Sequence, residues 1–95
     1  MQRFYLEYRP FPPPIKGKFN GVTARTDGSK YLILIDSSNP PEQQALTLRH
    51  ELAHIALNHF EDRTHTLDHI EQEAKDYAAR MTDAEFNDLM KWEIN

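Results

Sequence analysis

His50, Glu51 and His54 fall in the pattern H-E-x-x-H, inside an apolar stretch with helical spacing from Ala45 to Phe60. On a helix, histidines four apart project from one face one turn apart, so both imidazoles reach a single ion. Glu51 is rotated about 100° from His50. That poises a carboxylate beside a metal-bound water without making it a ligand. Two neutral nitrogens, a base and an open water position are the parts of a hydrolytic zinc site. With five histidines and eight glutamates among 95 residues, so short a pattern arises by chance in roughly one such chain in fifty. Its surroundings must therefore carry the argument.

A catalytic zinc normally takes a third protein ligand from another element. The extended form H-E-x-x-H-x-x-G-x-x-H would require Gly at 57 and His at 60, where the chain has Leu57 and Phe60, so a three-histidine scheme is ruled out. His59 misses that register by one and, continued as helix, lies about 180° from His50. It reads as a surface or helix-end histidine favoured by the helix dipole. The next helical stretch offers Glu71 and Glu73. If Ile70, Tyr77 and Met81 define its inward line, Glu73 lies about 60° from that line and Glu71 about 100°. Including the alanines nearly erases the difference, so periodicity leans to Glu73 and leaves Glu71 open.

These residues need elements to position them. Phe4 to Tyr8 reads as a strand with Phe4, Leu6 and Tyr8 on one face. Pro10-Phe11-Pro12-Pro13-Pro14 follows as a stiff polyproline connector. Lys18 to Thr26 and Lys30 to Asp36 read as strands joined by the turn Asp27-Gly28-Ser29, and the apolar run Tyr31 to Ile35 suggests a strand buried on both faces. Asn39 as N-cap, Pro40 in the first turn and Glu42 three after the cap open the motif helix, whose inner side would carry Leu46, Leu48, Leu52, Ile55, Ala56 and Phe60. Asp68 with Glu71 is a candidate capping box for a second helix through Met81, and Thr82 with Glu85 for a last one carrying Phe86, Leu89 and Met90. Strands first and helices after predict an α+β fold: a small N-terminal antiparallel or mixed sheet of about three strands, packed on a zincin-like active-site helix and two further helices.

The bulk composition narrows the rest. Ninety-five residues, 39% apolar and 27% charged, suit one small globular domain spanning 1–95 whose core leaves little stability margin. No apolar run is long enough to span a membrane, and the N-terminus has no secretory signal, so the expected location is the cytoplasm. With no cysteine, any metal must take His, Asp or Glu. A net charge of −4 with scattered lysines and arginines argues against nucleic acid as a ligand.

The apolar strand and polar turn from Tyr31 to Asn39, the helix bearing H-E-L-A-H with His59 beyond it, and Glu71-Gln72-Glu73-Ala74 leading into Tyr77-Ala78-Ala79 together resemble the ImmA/IrrE group of gluzincin-type metallopeptidases. That group typically shows H-E-L-G-H followed by E-x-E-A and a small or aromatic helical run. Ala53 stands where the group often has Gly, and no Leu-Leu-Met-Pro segment follows the second helix. The resemblance implies zinc held by His50, His54 and Glu73, with Glu51 as general base and a protein or peptide substrate, such as a regulatory or repressor protein. His65, His69, Tyr77 and Arg80 are candidates to stabilise the oxyanion. An extended substrate would pair with the sheet edge in the Lys18 to Asp36 hairpin. The rival is a non-catalytic zinc-binding interaction module of the phage or mobile-element type, for which the Glu51 carboxylate would have no use.

Overall fold

A computed structural model describes residues 2–95. Strand β1 (Phe4–Arg9), strand β2 (Gly21–Arg25) and strand β3 (Tyr31–Asp36) form one mixed sheet in the order β1-β3-β2. β3 runs parallel to β1 and antiparallel to β2. Helix α1 (Pro41–Ala56), a single 3-10 turn at His59–Glu61, helix α2 (Leu67–Arg80) and helix α3 (Asp83–Met90) follow. This is the expected small α+β fold, strands first and helices after. Among the described residues, no helix is long and apolar enough to cross a membrane.

The β3 run Tyr31-Leu32-Ile33-Leu34-Ile35 is buried on one face only. Tyr31, Ile33 and Ile35 are fully inside, whereas Leu32 and Leu34 are half-buried. Central position explains why both faces are apolar: β3 has a strand on each side, but helices cover the sheet on one side only. Phe4, Tyr31, Ile33, Ile35, Leu48, Leu52 and Ile55 make the core between sheet and α1. Leu46, expected inside, is exposed, and the buried face of α1 runs through Thr47, Leu48, Glu51, Leu52, Ala53, His54 and Ile55. Close approach of β2 to α1 requires Gly21, because a Cβ there would stand 2.5 Å from Cγ2 of Thr47.

The starts of α1 and α2 depart from the expected caps by one or two residues, whereas that of α3 does not. Pro40 occupies the cap position of α1 without a side-chain bond, and Pro41 opens the helix. For α2 the cap is Thr66 rather than Asp68, its hydroxyl accepting from the His69 amide at 3.1 Å. A hydroxyl one residue before the helix satisfies an orphan amide of the first turn, and Thr66 is nearer to that place than Asp68. Thr82 caps α3 by accepting from the Glu85 amide at 3.1 Å. Asp36, at the end of β3, is fully buried and ties the loops together: it accepts from the Phe11 amide, Lys16 Nζ, and the Ser38 amide and hydroxyl.

Candidate metal centre and its base

α1 sets the first part of the site by its pitch. His50 and His54, one turn apart, bring their Nε2 atoms within 3.1 Å of each other. α2 crosses beside this turn and adds Glu71, with Oε2 3.1 Å from Nε2 of His50 and Oε1 3.1 Å from Nε2 of His54. Bonds of about 2.0–2.1 Å to a tetrahedral ion separate its ligand atoms by about 3.3 Å. The spacing and the nitrogen and oxygen donors therefore fit a zinc-sized cation. His50, Glu51 and His54 also offer donor atoms that all lie within 4.8 Å of one another.

Glu73, expected as the third ligand, is directed elsewhere: its Oε1 lies 2.6 Å from Nε2 of His59. His59 in turn places Nδ1 3.0 Å from Nδ1 of His54. The expectation for His59 assumed that α1 continues to Phe60. Instead the helix stops at Ala56, Asn58 takes a left-handed conformation at φ 57°, and the 3-10 turn swings His59 back against the end of α1. His59 is thereby buried. An asparagine tolerates that conformation better than most residues, and Leu57-Asn58 is the signal in the sequence that could have revealed the break.

Glu51 is buried beneath the histidines, and its Oε1 accepts from the Thr23 hydroxyl at 2.7 Å. Burial pushes its carboxyl pKa up, opposed by the Thr23 hydrogen bond and by His50, and assisted by Glu71. Burial likewise pushes the His54 imidazole down, with Glu71 pulling the other way. The hydrogen bond from His59 holds the Glu73 carboxyl below the usual range. Of the oxyanion candidates, His65 and His69 stack on each other with ring centroids 4.3 Å apart. Nδ1 of His65 faces Asp62 at 2.7 Å, and Nε2 of His69 lies 3.8 Å from Glu73. Tyr77 and Arg80 lie about 9 Å or more beyond Glu71 along α2. The described contacts bring none of these four to Glu51.

An open cleft of about 350 Å³ borders the donors, lined by His50, Asp68, Glu71, Gln72 and Lys75. On the other side of Glu51 stands β2, an edge strand. Asn20 and Thr26 bond to β3 through the Asp36 amide and the Lys30 carbonyl, at 2.9 and 2.8 Å. In antiparallel alternation the backbone groups of Gly21, Thr23 and Arg25 therefore face outward. The opposite edge is partly closed, because Phe4 exchanges backbone bonds with Trp92 and Ile94.

No curated protein and no solved structure matches the chain. The peptidase family described as the IrrE N-terminal-like domain matches residues 8–90, a span that contains the histidine pair, Glu51, Glu71 and Glu73. A metallopeptidase-type family and a His-Glu-His group able to hold a metal agree with each other, and on that match the chain belongs to the IrrE N-terminal-like peptidase family.

Proposed function

We propose that the protein is a zinc-dependent endopeptidase that cleaves an extended segment of a protein substrate. In this reading His50, His54 and Glu71 hold the ion. Zinc bound there supplies Lewis-acid polarisation of the scissile carbonyl and of the attacking water. Glu51 is the general base, taking the proton from the water and returning it to the leaving amine. One carboxylate serves both halves of that transfer, because the proton it accepts from the water is the one it gives to the amine. Thr23 fixes one Glu51 oxygen and leaves the other for the water. The outward backbone groups of Gly21, Thr23 and Arg25 receive the substrate as an added strand, a mode that selects an extended backbone more than particular side chains.

The observation that carries the reading is the place of Glu51, buried between the donor cluster and an unpaired strand edge. A site built only to hold a metal has no use for a buried carboxylate that is costly to desolvate. The test compares zinc-loaded wild type with Glu51→Gln on a library of unstructured peptides, with products identified by mass spectrometry. Equal zinc content with cleavage at least about 100-fold slower in the variant is expected, in line with loss of a general base. Indistinguishable behaviour of the two would assign the chain instead to the zinc-binding interaction modules.

A further inference from the structure

The histidine that the motif does not use lies against one that it does. His59 is buried, and its two ring nitrogens are both engaged: Nε2 with Oε1 of Glu73 at 2.6 Å, and Nδ1 with Nδ1 of His54 at 3.0 Å. A carboxylate only accepts, and a neutral imidazole has one N–H. With one N–H, His59 therefore carries its proton on Nε2, toward Glu73, which leaves Nδ1 as the acceptor that a metal-ligating His54 requires. The only group of His54 that can meet it productively is Nδ1–H. With its proton there, His54 turns an unprotonated Nε2 toward Nε2 of His50 and Oε1 of Glu71, each 3.1 Å away.

We infer that Glu73 and His59 form a relay that selects the Nδ1–H tautomer of His54, so that its Nε2 lone pair stands ready for the metal. Both are positioning residues, and the inference rests on His54 being a ligand. It gives distinct tasks to two glutamates only two residues apart. Glu71 faces the ion directly, whereas Glu73 acts on it through two imidazoles. The relay also orients the ring, since the buried bond to His59 opposes rotation of His54 about its side-chain axis. Partners that hydrogen-bond the far nitrogen of a metal-ligating histidine commonly contribute about 10–100-fold in metal affinity. Here that partner is a second histidine backed by a carboxylate.

The break after Ala56 is what makes the relay possible. A helix continued through His59 would point that side chain away from His50 and leave Glu73 facing solvent. Asn58 in its left-handed conformation turns the chain so that His59 reaches both partners.

Nitrogen-15 correlation spectra of the histidine rings in the metal-free protein read the tautomer directly, and chelator competition reads zinc affinity. For wild type we expect the proton of His54 on Nδ1. In Glu73→Ala, whose side chain is only partly buried and leaves folding intact, we expect a mixture of tautomers and zinc bound about 10–100-fold more weakly, still at one equivalent. His59→Gln, which keeps an acceptor beside His54, should retain more affinity than His59→Leu. A wild-type His54 protonated at Nε2 would overturn the inference. So would a Glu73→Ala protein with unchanged tautomer, whether its zinc affinity stays within threefold of wild type or is lost altogether, the last marking Glu73 as a ligand. Failure of wild type to bind zinc would instead sink the peptidase reading, and the metal-free spectrum would still report on the relay.

Discussion

At the residue scale the site turns on which of two glutamates faces the histidine pair. The inward line drawn through Ile70, Tyr77 and Met81 favoured Glu73, yet the only fully buried residue of α2 is Ala74. Measured from Ala74, Glu71 lies about 60° away and Glu73 about 100°, the reverse order. A small residue marks where helices approach most closely, so it reports the contact line better than the larger half-buried residues at its margins. The grouping of His50, Glu51 and His54 was legible because a local i, i+1, i+4 spacing needs only a helix to bring the donor atoms together. Glu71 and His59 were not, because the first depends on how two helices cross and the second on where one helix ends. Replacing Glu71 with Ala should remove stoichiometric zinc at protein concentrations where Glu73→Ala still retains it, as measured by metal analysis after gel filtration.

At the scale of elements, β3 is the organiser. Its place between β1 and β2 could be inferred from the apolar run, but the parallel pairing with β1 could not, since it depends on how the proline segment crosses. That crossing is secured by Asp36, buried at the C-terminal end of β3 with bonds to Phe11, Lys16 and Ser38. Hydrogen bonds led by the Ser38 hydroxyl outweigh the cost of burial and hold the Asp36 carboxyl well below the usual carboxylate range. The sign follows from linkage. With a folded pKa below the unfolded value of about 3.9, the ionised group stabilises the fold fully above about pH 5 and loses that contribution as pH falls toward the folded value. Urea midpoints of wild type and Asp36→Asn should therefore differ most near pH 7 and converge as the pH is lowered below about 4.

For the whole molecule, the main core cluster among the described residues is a single layer of seven buried apolar side chains between a three-stranded sheet and α1. Such a core leaves a small margin, and a metal held between α1 and α2, as proposed, would add to it by mass action. Free zinc at 100 times its dissociation constant contributes about 2.7 kcal/mol. In a domain of this size each kcal/mol moves Tm by about 4–8 °C, so chelation should lower the calorimetric Tm by roughly 10–20 °C. His54→Ala should show no such shift. The same arrangement places Glu51 on the edge-strand side of α1 and Glu71 on the cleft side, so in the proposed reading substrate and metal would reach Glu51 from two directions.

In the proposed site His50, His54 and Glu71 hold one zinc ion and leave Glu51 free to act as base. Anomalous diffraction at the zinc edge from crystals of the zinc-loaded protein tests it most directly. One peak is expected, bonded to Nε2 of His50, Nε2 of His54 and a carboxylate oxygen of Glu71, with Glu51 outside bonding distance and still accepting from Thr23. A peak ligated by Glu51 or Glu73 in place of Glu71, or no peak between the two helices, would contradict it.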